Sequence, residues 1–337
     1  MNSNSIRVGI IGAGFIGKLH AEISSKLEDV SVVAILDQDE ERARKLSELV
    51  GGSYCTDLEE FFTKYELDAV EICTPTYMHE ELIVKALEAG CHVLCEKPLT
   101  LSSASALRIK KKTEASGKAF MVGQVIRFWP QYVKIREMVL SGDLGEIESI
   151  YAYRINQKPT WSDWFLYPDK GGGALFDLHI HDIDYIYSLF GMPEEVYSRG
   201  NQGPYGAWDS VTTTLSWKHM RAVVEADYTY PDGFPFQFGF RIRGTKAALQ
   251  YEFSVKGNVE SKDVASEVFL FISQGIVKQI DCSEMDEAYK AELDYFYSCI
   301  KNEIPIQKAT ISDALEVLKL VEKERKSLEA RLQYLSK

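Results

Sequence analysis

The chain has 337 residues, 45% of them hydrophobic and 26% charged, an ordinary globular composition with room for two domains. A formal net charge of −12, with no long basic run, argues against nucleic acid or an anionic membrane surface as the main partner. No apolar run is long enough to span a bilayer, MNSNS leads straight into an apolar strand without room for a signal peptide, and no cysteine pair has C-x-x-C spacing, so a cytoplasmic protein with free thiols is expected.

The first predicted element is a strand, Ile6 to Ile11, whose near-continuous branched apolar residues suit a parallel sheet buried on both faces. Gly12, Gly14 and Gly17 follow in G-x-G-x-x-G spacing. Gly12 permits a tight turn, Gly14 lets the backbone approach a pyrophosphate, and Gly17 lets the next helix sit close to the strand. A helix from Phe15 to about Leu27 would aim its free N–H groups at that phosphate, with Ala13, Gly14, Phe15 and Ile16 forming the cradle. Val30 to Leu36 is a second apolar strand. Asp37 ends it at the distance where an acid accepts hydrogen bonds from the ribose of NAD. A carboxylate there repels a 2′-phosphate, and the first base after it is Arg42, so NAD is expected over NADP. The competing reading is a purely structural strand–helix turn.

Strand and helix go on alternating. A helix spans Glu40 to Val50, and Asp57 caps another from Leu58 to Tyr65. Asp68 to Cys73 is a strand that Pro75 ends, and Glu80 to Glu88 is a helix stopped at Gly90. Cys91 to Cys95 is a strand, Ser102 to Ser116 a helix ending at Gly117, and Ala119 to Gly123 a strand. Such repeats imply right-handed crossovers and a doubly wound parallel sheet. Its carboxyl ends, Gly12, Asp37, Thr74, Glu96 and Gln124, should border one crevice.

After Gln124 the pattern changes. Pro130 to Leu140 is helical. Strands are expected at Ile147 to Ile155, Val211 to Trp217, Arg221 to Thr229, Phe236 to Arg243, Ala248 to Phe253 and Val268 to Ile272, joined by turns as in an antiparallel sheet. Helices return at Met285 to Lys301 and Ile311 to Leu335. The fold class is therefore α/β, with a Rossmann domain over residues 1–124 and a second α/β domain over 125–337 whose last helices can pack back on the first.

Two stretches carry candidate chemistry. In Gly171 to Gly191 the apolar residues follow helical spacing, and Asp177, His181 and Asp184 fall at i, i+4 and i+7 on one face. A carboxylate one turn from an imidazole can fix its tautomer and stabilise its protonated form. His179 and His181 could instead bind a metal if the segment were a strand, but on a helix they diverge, so no metal is expected. A polar solvent face is the plainer alternative; Gly171, Gly172 and Gly173 oppose it by suggesting close backbone approach to something. The second stretch is Glu96-Lys97-Pro98 at a strand end. A lysine there could hold a developing alkoxide, although most single lysines merely face solvent, and Glu96 could pair with Lys97 or bond the backbone.

Taken together, Gly12-x-Gly14-x-x-Gly17, Thr74-Pro75 with His79, Glu96-Lys97-Pro98, and Gly172-Gly173 followed by Asp177 and His181 resemble the glucose–fructose oxidoreductase, inositol dehydrogenase and rhizopine-catabolism (Gfo/Idh/MocA) family along nearly the whole chain. The resemblance implies a large, mostly antiparallel open sheet in the second domain, often the site of homodimer or homotetramer contacts. It implies Lys97 as catalytic lysine, Asp177 as its carboxylate partner at the substrate, His181 as general acid/base, and a cis bond before Pro98. Thr74 and Pro75 would line the nicotinamide ribose, and His79, Glu96, Lys97 and Gln124 would join the cofactor contacts. His179 departs from the family, which commonly has Gly there, and could alter substrate contacts.

Further substrate contacts are expected from Arg127, unless it forms an interdomain salt bridge, and from Trp161, Asp163 and Trp164, unless the tryptophans plug the core. Tyr228 and Tyr230 resemble a substrate-facing strand end of inositol dehydrogenases, though alternating tyrosines also simply pack. The expected activity is NAD-dependent hydride transfer from a secondary alcohol of a cyclic polyol or sugar. The alternatives are a non-catalytic NAD-binding regulator and a glycosidase that cycles hydride internally.

Overall fold

The computed structural model describes residues 5–160, 162–255, 264–272, 275–280 and 286–335. The chain divides into two compact units: Met1–Trp129 with Met285–Leu315, and Pro130–Glu284 with Glu316–Lys337.

The first unit contains β1 (Ile6–Ile11), α1 (Phe15–Ser24), β2 (Val30–Leu36), α2 (Glu40–Val50), β3 (Ser53–Cys55), α3 (Leu58–Lys64), β4 (Ala69–Ile72), α4 (His79–Glu88), β5 (His92–Glu96), α5 (Ser103–Ser116) and β6 (Phe120–Gly123). Its strands pair in parallel in the order β3-β2-β1-β4-β5-β6. This is the doubly wound order in which ligands bind where the winding reverses, between β1 and β4. Val8, Ile10, Ile35, Ile72, Val93 and Met121 are fully buried, as strands covered on both faces require. Capping explains the helix starts: Asp39 accepts from the N–H groups of Glu41 and Arg42, Asp57 from Glu60, and Ser102 from Ser105. α1 stops before Leu27 because the N–H groups of Lys26 and Leu27 turn to the carbonyls of Ile23 and Ser24 in tighter three-residue bonds.

The second unit begins with α6 (Pro130–Leu140) and β7 (Ile147–Gln157). A π-helical turn, Leu175–His179, runs into α7 (Ile180–Phe190). Seven strands follow: β8 (Glu195–Gln202), β9 (Trp208–Ser216), β10 (Arg221–Tyr230), β11 (Phe236–Gly244), β12 (Ala247–Val255), β13 (Val264–Ile272) and β14 (Ile276–Ile280). The eight strands form one sheet in the order β14-β13-β12-β11-β7-β10-β9-β8, antiparallel everywhere except β7 against β10. The edge strands β8 and β14, and the three-residue β3, were not anticipated. Two helices close the chain: α8 (Asp286–Lys301), in the first unit, and α9 (Ile311–Leu335).

Strand alternation gives the large sheet a buried face. Arg154, Val224, Tyr228, Phe238, Phe240 and Tyr251 point into it. Tyr132 of α6 and Tyr185 of α7 lie against that face with ring centroids 4.7 Å apart, and the Tyr185 hydroxyl donates to the Tyr132 carbonyl at 2.6 Å. The other face carries Tyr151, Tyr153, Arg241, Arg243 and Gln250, all at least partly exposed. Cys55, Cys73, Cys91, Cys95 and Cys299 are free thiols, and Cys282 lies outside the described residues. Among the described residues, no helix is long and apolar enough to cross a membrane.

Candidate active site

In the first unit the glycine turn forms as its spacing implies. Gly12 has φ 101°, and a Cβ there would lie 2.6 Å from the Cys73 carbonyl. A Cβ on Gly17 would fall 1.8 Å from the Gly12 carbonyl, so only glycine lets α1 start this close to β1. Gly14 differs: a Cβ there would meet nothing within 4 Å. It is the N-cap of α1 and gives no side-chain cap, so the first N–H groups of the helix open onto clear space. Asp37 is held from both sides, Oδ2 accepting from Ala13 N–H at 2.7 Å and Oδ1 from Asp39 N–H at 2.8 Å. An uncapped helix start, a glycine facing outward and an oriented carboxylate at the end of β2 fit a dinucleotide's pyrophosphate and ribose.

Thr74 and Pro75 follow β4 and are half-buried. His79 lies beside Thr74 but presents no surface of its own. It is fully buried, with Nε2 2.9 Å from the Thr74 carbonyl and Nδ1 3.0 Å from the Pro98 carbonyl, so it ties two loops together. Burial lowers its pKa. The Lys97–Pro98 bond is cis. Glu96 turns inward: Oε2 accepts from Lys97 N–H at 3.0 Å and Oε1 lies 3.1 Å from His20 Nε2. Lys97 is half-buried between Glu96 and Pro98, both buried. Gln124 is buried after β6. Arg127 is ion-paired to Asp313 at 3.0 Å, and both residues belong to the first unit, so the pair is not the interdomain bridge considered from sequence.

In the second unit, Asp177 lies on the π-helical turn and His181 on the first turn of α7, each half-buried. The wider turn interrupts the regular stripe expected from sequence, and Asp184, further along α7, is fully buried. The Tyr228 hydroxyl donates to Asp177 Oδ2. The glycines before this helix do mark close approach, and what approaches is the chain itself: they serve packing. A Cβ on Gly171 would strike Phe165, one on Gly172 the Phe176 ring, and one on Gly173 the Trp208 carbonyl.

His179 turns away from His181, as helical geometry requires. It is fully buried, with Nε2 3.0 Å from Glu324 Oε1 and 3.2 Å from Thr213 Oγ1. Its place is thus in the core, not at a substrate. Asp182 and Arg154 form a buried ion pair at 3.1 Å that pins α7 to β7. Trp164 stacks on Phe165 with centroids 3.8 Å apart, Asp163 is exposed, and Tyr230 packs on Phe234 at 4.1 Å. Trp161 lies outside the described residues. Sequence reasoning did not single out His20, Glu71, Glu292, Arg154 or Glu324; each stands alone among unrelated residues and has meaning only once folding brings partners to it.

Two domain families match. Residues 6–124 match the oxidoreductase family with NAD-binding Rossmann fold, GFO_IDH_MocA, and residues 132–250 match the GFO/IDH/MocA C-terminal domain. The chain belongs to this family. Its first domain is an NAD-binding Rossmann domain, and the family is one of oxidoreductases. Among curated relatives, a 2,7-anhydro-N-acetylneuraminate hydratase of Mediterraneibacter gnavus is 29% identical over 79% of this chain and 72% of that protein. A D-glucoside 3-dehydrogenase of Escherichia coli is 31% identical over 64% of this chain, and a myo-inositol 2-dehydrogenase of Thermotoga maritima is 31% identical over 63%; each alignment spans 65% of the relative. A crystal structure of a putative NADPH-dependent oxidoreductase from Desulfitobacterium hafniense superposes with TM-score 0.86 at 22% identity, covering 97% of both chains. A levoglucosan dehydrogenase in complex with NADH and L-sorbose gives 0.84 at 20% identity, also covering 97% of both. These likenesses establish the family's fold across both units.

Proposed function

We propose that this protein is an NAD-dependent dehydrogenase that oxidises a secondary alcohol of a cyclic polyol or sugar, inositol-like in shape. The observation that carries the reading is Lys97, a half-exposed cation on a turn fixed by the Glu96 carboxylate, the cis proline and His79, with Glu96, Pro98, Leu99 and Thr100 all buried around it. Bound NAD supplies the acceptor for the hydride. Gly14 and the start of α1 hold the pyrophosphate, and Asp37 takes the ribose hydroxyls. Lys97 stabilises the forming alkoxide, His181 takes the hydroxyl proton, and Asp177, oriented by Tyr228, supports the charged imidazole. Asp163, Trp164, Tyr230 and Arg127 are the proposed contacts to the remaining hydroxyls.

The test is NADH formation over a panel of polyols and sugars. Lys97→Ala and His181→Ala should each lower kcat by about 10²-fold or more while NAD binding persists. Full turnover in both variants would remove these roles.

A second reading draws on the relative described as a hydratase, which aligns with 79% of this chain. The same residues could serve a reaction in which hydride returns to the product, with no net change in NAD. Product formation without NADH accumulation would select that reading. We also propose a homodimer or homotetramer, supported by the partly exposed face of the large sheet, where Arg241 lies over the Tyr151 ring at 4.8 Å and Phe271 is 40% exposed.

A further inference from the structure

Beneath the Glu96–Lys97 turn the first unit encloses one imidazole and three carboxyl side chains. They are His20 from α1, Glu71 from β4, Glu96 from β5 and Glu292 from α8; the first two and Glu292 are 0% exposed, Glu96 8%. Gly123, paired with Glu96 in the sheet, leaves the room: a Cβ there would stand 2.9 Å from Glu96 Oε1.

His20 faces a carboxylate with each ring nitrogen, Nδ1 at 2.9 Å from Glu71 and Nε2 at 3.1 Å from Glu96. A neutral imidazole has only one donor, so one contact would set lone pair against lone pair; the imidazolium satisfies both. Burial opposes that charge, but the Glu71 and Glu96 carboxylates bonded to the ring favour it, and the His20 pKa is raised well above the usual value. With both nitrogens donating, His20 has no lone pair left for a metal. Glu71 also accepts from Ser24 Oγ at 2.6 Å and from the Tyr297 hydroxyl, and Glu96 accepts from the Lys97 N–H. Glu292 is different. Neither of its oxygens has a hydrogen-bond partner, yet its carboxyl group comes within 4.8 Å of the facing atoms of His20 and Glu96. Ionised, it would add a third negative charge beside one cation already shared by two carboxylates. Such a buried surplus is far more costly than a bound proton.

We propose that Glu292 stands in this enclosure as a neutral carboxylic acid turned toward Glu96, and that it is a positioning residue for Lys97. Its acid form leaves Glu96 free of repulsion, and Glu96 in turn fixes the Lys97 backbone. Burial first, then the negative charges of Glu96 and Glu71, push the Glu292 pKa well above 4.5. The facing groups are Glu96, His20 and Glu71; Cys73, held at about 11, and Tyr297, also raised, stay neutral beside them. The positioning role rests on the function proposed for Lys97; the protonation state does not.

Because the folded state holds this proton more tightly than the unfolded chain, its stabilising effect is complete below the unfolded pKa near 4.5 and is lost as pH rises through the folded value. The experiment compares the full-length wild type with Glu292→Gln and Glu292→Ala. Glu292→Gln, a permanent mimic of the acid, should flatten the fall of Tm with rising pH and keep kcat within about 3-fold of wild type, with any alkaline fall in kcat removed. Glu292→Ala keeps the site free of the extra charge but empties the buried space against which Glu96 is held, and should lower kcat about 10-fold or more at all pH values. Isotope-edited infrared spectra of wild type should show a protonated carboxyl band that Glu292→Gln lacks. A missing band, or parallel Tm profiles for wild type and Glu292→Gln, would overturn the protonation state. Equal impairment of the Gln and Ala variants would overturn the positioning role, as would a stoichiometric metal found by elemental analysis and lost in Glu292→Gln. If no alcohol is turned over, the infrared and Tm results still decide the protonation state separately from the proposed function.

Discussion

Tyr228 and Asp37 show how much one hydroxyl or carboxylate can carry. The Tyr228 hydroxyl is the donor that holds the Asp177 carboxylate. Tyr228→Phe should reduce kcat by about 10-fold or more, since a hydrogen bond to a charged group contributes roughly 1.5–3 kcal/mol. The KM for NAD should stay unchanged, and steady-state kinetics separates the two. Asp37 has a double duty, because its carboxylate both orders the Ala13 N–H and faces the space proposed for the ribose. Asp37→Ala should raise the NAD Kd by about 10-fold or more, measured by calorimetry, because both effects are lost together. At the core end, His179→Ala strips a partner from fully buried Glu324 and should lower stability by about 1–3 kcal/mol in urea titration.

At the scale of elements, the glycines of the first turn make opposite predictions. Gly17→Ala drives a methyl into the Gly12 carbonyl and should destabilise the fold by about 1–3 kcal/mol or more. Gly14→Ala meets no atom within 4 Å, so Tm should hold while NAD affinity falls; an unchanged Kd would remove the phosphate role. These elements were legible because they are local. Apolar runs, the cap at Asp57 and the glycine stops at Gly90 and Gly117 mark the longer elements from β1 to α5 to within a few residues, while the three-residue β3 between them is too short to show. β8 and β14 were missed because edge strands such as EVYSRGNQ and IVKQI are short or polar and lack the buried alternation of their neighbours. The π-helical turn escaped notice because its sequence obeys ordinary helical spacing. The triple glycine was noticed, but its neighbours Phe165, Phe176 and Trp208 could not be read from spacing. The His20–Glu292 enclosure was invisible for the same reason: its members come from α1, β4, β5 and α8, and no local pattern links them.

For the molecule as a whole, the large sheet is the surface on which assembly can be tested. Phe271→Asp places a charge on its exposed face at a surface position, where the cost in stability should stay within about 0.5 kcal/mol. Mass photometry should then report a smaller particle than wild type if that face joins copies of the chain, and an unchanged particle if it does not. The order of strands in this sheet has a further effect. β7 is its central strand, yet its neighbours β10 and β11 begin more than sixty residues after its own end. During synthesis the middle of the sheet emerges first and waits with both edges bare until the later hairpins arrive. That interval, rather than the finished protein, is where a nascent chain of this topology is most exposed to wrong pairing and most dependent on a chaperone.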